Sequence, residues 1–181
     1  MNNLFKTYKP FILFLIKFFS AYLVLTFLYN VYLQSFDSEK GEIDGVSEMV
    51  AFHVEKTMLL SNQNIKLEKQ SSQPAIRIIY NEKINSRIIE GCNAVSVMIL
   101  FAAFVIAFST TFLKTFLYVV LGVFIIHVLN ILRIDFLVWA VYNYPEKRHF
   151  LHGTVFPFII YSVVFVLWII WIRNYTKNAK K

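Results

Sequence analysis

A chain of 181 residues that is 57% hydrophobic and 18% aromatic, with a mean hydropathy of +0.57, falls outside the water-soluble class, whose apolar share is about 45–50%. Its net charge of +7 does not point to nucleic acid, because basic residues gather at the chain ends beside apolar runs: Lys6 and Lys9 before the first, and Arg173, Lys177, Lys180 and Lys181 after the last. That placement is an orientation signal and a contact for anionic lipid.

Four apolar stretches, 10–33, 93–113, 115–133 and 153–172, approach the roughly 20 residues needed to cross a ~30 Å hydrocarbon core. They predict an all-α integral membrane protein of about four transmembrane helices with a small extracytoplasmic cap. The first stretch carries Lys17, whose long side chain can snorkel to the surface, and it is too long for a signal-peptide core. Residues 1–33 are therefore expected to form a retained N-terminal anchor.

Residues 34–91 are expected to form the cap. Helical apolar spacing runs from Ser47 to Leu60, while Ala75–Tyr80 and Arg87–Glu90 read as short strands of a hairpin about Asn81–Asn85. A polar linker, Ser61 to Pro74, separates helix from hairpin, and the simplest arrangement lays this cap on the membrane.

Residues 92–181 form the expected membrane core with a basic cytoplasmic tail. The second and third spans are joined by a tight hairpin at Thr110, Thr111 and Lys114. After the third, Ile134–Tyr142 is apolar apart from Asp135 but too short to span, so a helix continuing along or above the interface is expected. The fourth ends in Trp168-Ile169-Ile170-Trp171-Ile172-Arg173, an aromatic and basic border. An even number of crossings puts both termini on one side, which the basic ends make cytoplasmic. Basic residues in the cap and in 133–152 weaken that signal.

Three polar residues fall at span boundaries. Cys92, the chain's one cysteine, forms no intramolecular disulfide. The bland reading is a small buried hydrophobe. Against it, the residue sits at the water boundary and opens a helix, where unpaired N–H groups and the dipole favour a thiolate. Arg133 cannot shed its charge, so it either anchors at the interface, pairs with Asp135 or serves a site. His152 precedes the fourth span, with His149 three residues earlier. His127, Asn130 and Arg133 recur every third residue as a polar ridge, His127 lying about 9 Å deeper than Arg133 and reading as an interhelical hydrogen-bonder. His53, on the cap helix, has no companion in sequence. No metal-ligand spacing, phosphate loop or cofactor motif occurs.

Gly91-Cys92-Asn93 opening a span, then Asn130-Ile131-Leu132-Arg133-Ile134, then His152 ahead of Phe156-Pro157-Phe158-Ile159-Ile160-Tyr161, resembles the exosortase/archaeosortase family. The likeness is greatest to the small exosortase F type of Bacteroidetes, and it covers about residues 85–181. What the resemblance implies is a bacterial inner-membrane cysteine protease or transpeptidase with its site facing the periplasm. Its substrates would be C-terminal sorting tails of exported proteins, each a short motif, a transmembrane helix and a basic cluster. The catalytic triad carried over is Cys92, Arg133 and His152, with Asn130 and His149 as secondary candidates and no cofactor or metal. The acyl group would pass to water or to an amine acceptor on lipid or glycan. The rival reading is a non-catalytic membrane subunit or small-molecule carrier whose pathway is the His127, Asn130, Arg133 ridge. A catalytically dead relative that binds tails is the third.

Overall fold

The computed structural model describes residues 2–70, 73–109 and 111–178, so Thr110 of the predicted hairpin and Lys180 and Lys181 of the basic end lie outside the described residues. Six helices and one three-stranded sheet are built from them: α1 Asn2–Leu33, α2 Gly45–Leu60, β1 Ile65–Lys69, β2 Ile76–Tyr80, β3 Lys83–Ile88, α3 Val95–Ala107, α4 Phe112–Asn143, the single turn α5 Arg148–Phe150 and α6 Phe156–Asn178. A π-helical turn, Leu151–Val155, joins α5 to α6.

Three helices are long and apolar enough to cross a membrane, spanning Tyr8–Leu33, Phe112–Asn143 and Pro145–Asn174. The chain is a membrane protein on that ground. The stretch expected as the second crossing contributes 13 helical residues, Val95–Ala107, about 20 Å at 1.5 Å per residue. That is short of a ~30 Å core, so this helix does not by itself account for a fourth crossing. α3 nevertheless lies inside the bundle, packed against α1, α4 and α6.

Aromatic contacts hold the bundle together. Phe14 of α1 meets Phe104 and Phe108 with ring centroids 5.7 and 4.5 Å apart. Phe104 stacks on Trp168 at 4.3 Å, and Tyr118 stacks on Trp171 at 4.7 Å. In lipid no hydrophobic force draws helices together, so such close packing carries the association. Gly122 shows how close it is: a Cβ there would collide with the Phe101 ring.

α4 decides the architecture. Its 32 residues run about 48 Å, well beyond a ~30 Å core, so its C-terminal third projects from the bundle. The predicted span 115–133 and the apolar leftover 134–142 are therefore one unbroken helix. Ile126 belongs to the bundle core with Phe101, Val105 and Val164, whereas Ile131, Ile134 and Val138 belong to the cap core.

The cap is a helix and a sheet packed on that projecting end. Asp44 caps α2, its carboxylate accepting from the backbone N–H of Val46 and Ser47 at 3.0 and 2.9 Å. The buried face Val50, Ala51, Val54 and Met58 then packs on α4. His53 meets His127 and Thr57 meets Asp135, so α2 runs parallel to α4 and beside it. The apolar face along one side of α2 is thereby buried along a helix.

The predicted hairpin is a three-stranded antiparallel sheet in the order β1-β2-β3. Its turn is only Asn81 and Glu82, both at positive φ (48° and 64°), the conformation that suits a two-residue turn to strand twist. β3 accordingly begins at Lys83 and not at Arg87. β1 falls within the predicted polar linker. Its Ile65-Lys66-Leu67-Glu68-Lys69 alternation offers only two apolar residues, and pairing with β2 across the Ile65↔Tyr80 register supplies the rest.

Candidate active site around Cys92

Cys92 does not open a helix. It ends a 3-10 turn, Glu90–Cys92, and α3 begins at Val95 after Ala94 in the left-handed region at φ 61°. Such a backbone costs a non-glycine residue about 1–3 kcal/mol and persists where its surroundings over-determine it. Here Asn93 does so. Fully buried, it donates to Tyr29 Oη at 2.8 Å and Ser47 Oγ at 3.2 Å, and its carbonyl accepts from Val95 N. Tyr29 in turn donates to Glu90 Oε1 at 2.8 Å. The turn carrying the thiol is thus bolted to α1 and α2. The predicted support of Cys92 by the α3 N-terminus gives way to this network, because the chain needs the kink at Ala94 to enter α3.

From the other side, Asn130 of α4 holds the same turn. Its amide donates to the Cys92 carbonyl at 2.8 Å, and its own carbonyl accepts from Arg133 Nη1 at a long 3.4 Å. A single buried amide therefore fixes the backbone of Cys92 relative to the guanidinium.

Arg133 makes no ion pair among the described residues. The alternative of a salt bridge to Asp135 does not occur: that carboxylate faces α2 and accepts from Thr57 Oγ1 at 2.7 Å. Arg133 Nε is buried with no hydrogen-bond partner. A cation with an unused buried donor is costly to keep unless something else completes it.

Cys92, Arg133 and His152 line one small cavity of about 60 Å³. Ser86, Arg87 and Ile88 of β3 and Arg148 also line it. Cys92 is half-buried, and Arg133 lies close enough to act on its sulfur electrostatically. Neither the thiol nor the His152 imidazole has a hydrogen bond to another described residue. His152 sits in the π-helical turn, a feature that recurs at functional sites because the extra residue per turn redirects a side chain. Arg133, Arg148 and His149 all act on it electrostatically. His149, exposed on α5, does not line the cavity.

A second cavity of about 210 Å³, also lined by Arg133, lies between Gly91 of the 3-10 turn, Ala94 and Val97 at the entry to α3, and Pro157 and Tyr161 of α6. Gly91 and Gly153, adjacent to Cys92 and His152, each have open space where a Cβ would point.

The polar ridge of α4 divides between two elements. Asn130 and Arg133 serve the Cys92 turn, whereas His127 Nε2 lies 3.0 Å from His53 Nδ1 on α2. His53 thus gains a companion that its own sequence neighbourhood does not reveal, and His127 is the interhelical hydrogen-bonder expected. Asn93, Ser47, Tyr29 and the β3 residues were not singled out from sequence. Asn93 alone left a trace there, as the neighbour of Cys92. Among the described residues, no group of three or more His, Cys, Asp or Glu side chains could hold a metal ion. No family model, curated protein or solved structure matches the chain.

Proposed function

We propose that this protein is a membrane-embedded cysteine endopeptidase or transpeptidase of the exosortase/archaeosortase type, acting on C-terminal sorting tails at the periplasmic face of a bacterial inner membrane. The observation that carries the reading is the joint lining of one cavity by Cys92, Arg133 and His152, with Asn130 tying the nucleophile's backbone to the cation.

The chemistry follows from that arrangement. His152 takes the proton from Cys92 as sulfur adds to the scissile carbonyl. The oxygen that becomes anionic is met by Arg133, whose buried Nε has no partner in the free protein. Collapse expels the amine, which takes the proton back from His152, and leaves a thioester on Cys92. Water or an amine acceptor then attacks that thioester, losing its proton to His152 and restoring the thiol. The apolar cavity between α3 and α6 gives the membrane-bound part of a tail a place beside the same guanidinium.

The test is made in membranes of the source or of a host carrying the chain. C-terminal peptides of exported proteins are compared by mass spectrometry between wild type and Cys92→Ala at equal protein levels. Tails should persist intact in the variant. Identical tail removal in a well-expressed Cys92→Ala protein would end the enzymatic reading.

A further inference from the structure

Arg77 of β2 and Arg87 of β3 stand directly opposite each other in the sheet register. Like charges so placed destabilise a sheet. Neither is neutralised by its hydrogen bond, since Arg77 Nε donates to Gln70 Oε1 at 3.3 Å and Arg87 Nη1 to Gln73 Oε1 at 2.9 Å, both neutral acceptors. The nearest acid in register is Glu68 of β1, opposite Arg77. Its carboxyl is held below the usual range first by the hydrogen bond from Lys66, 2.8 Å away, and only in smaller part by Arg77, so this one acid is shared and none faces Arg87 in the register. The Arg148 side chain is exposed and its guanidinium makes no hydrogen bond or ion pair with any described residue.

These three arginines border one open cavity of about 450 Å³ along β3, shared with Gln73, Asn85 and Ser86. It adjoins the Cys92 cavity, since Ser86, Arg87 and Arg148 line both. No aspartate or glutamate lines either one. β3 is also an edge strand, and among the described residues no backbone hydrogen bond from outside the sheet reaches residues 83–88. An extended peptide can therefore pair with the edge while its side chains meet the arginines.

We infer that the trough along β3 binds an extended acidic segment of the polypeptide substrate and delivers the neighbouring peptide bond to Cys92. Naming the occupant as substrate rests on the proposed function; binding of the acidic segment does not. Several guanidiniums along a bare strand edge favour carboxylates spaced on an extended chain over one compact headgroup.

Binding is measured on the full chain carrying Cys92→Ala, in phosphatidylcholine nanodiscs, by fluorescence anisotropy. The probes are a labelled peptide alternating glutamate with threonine and its counterpart alternating glutamine with threonine. With three partly exposed charge contacts, the acidic peptide should bind about tenfold more tightly at low salt, an advantage that shrinks as salt is raised. Arg77→Gln/Arg87→Gln/Arg148→Gln should erase it while keeping the parent's thermal transition, because opposed charges are being removed. Equal binding of the two peptides, or an advantage that survives in the triple variant, would overturn the inference. So would a triple variant that loses only co-purifying phosphatidylglycerol, which would make the arginines a membrane contact. Acidic preference without processing by the wild type would sink the enzymatic reading alone.

Discussion

At the residue scale the site depends on amides as much as on its reactive groups. Asn130→Ala removes the donor to the Cys92 carbonyl and leaves that part-buried oxygen unpaired, costing about 1–3 kcal/mol in a detergent melt. Processing should fall further, about 100-fold, because nucleophile and cation lose their common reference. Asn130→Asp should be no better, since its acceptor cannot replace the donated hydrogen bond. The cavity also separates the histidines: His152→Ala should stop tail removal and His149→Ala leave most of it, as only His152 lines the cavity with Cys92. Arg133→Lys should fail as well, because an ammonium keeps the charge but lacks the planar fork. The same precursor-accumulation assay reads all three, and wild-type activity in Arg133→Lys would reduce the guanidinium to a simple charge.

Among the elements, β2 and the α3–α4 contact are the places where single changes separate cap from bundle. β2 is the central strand, and Ile78 is fully buried in the cap core. A proline there removes a ladder hydrogen bond and breaks the sheet. Ile78→Pro should abolish processing while α1, α4 and α6 still insert, checked by protease protection in vesicles; unchanged processing at equal protein levels would detach the cap from function. In the bundle, Gly122→Ala drives a methyl into Phe101, and overpacking of this kind costs about 1–3 kcal/mol. Its melt should drop while Gly91→Ala and Gly153→Ala, which have open space, melt as wild type.

For the whole molecule, sidedness is read by one label. If the cap and Cys92 face the periplasm, an impermeant maleimide will label the single cysteine in outer-permeabilised cells without inner-membrane lysis. Labelling only after lysis would reverse the orientation and remove the sorting reading with it. Occupancy of the cavity by a peptide should slow that labelling, since the half-buried thiol shares its 60 Å³ with Arg133 and His152.

Periodicity and composition alone determined that the chain enters a membrane, where α2 runs and which polar residues lie at apolar boundaries. Those are local properties: a run of apolar side chains or a 3.6-residue spacing is written in neighbouring residues. The length of α4 was half legible, because Ile134–Tyr142 continues the apolar pattern but nothing local says that a cap will cover it. The third strand, the His53–His127 pair, the π turn under His152 and the Asn93 and Asn130 clamps came only from the tertiary structure. Apart from the π turn, each joins residues far apart in sequence, as Asn130 does with Cys92 and Tyr29 with Glu90. A buried polar group's partner is fixed by which element packs against it, and only the folded arrangement of α1, α2 and α4 supplies that element.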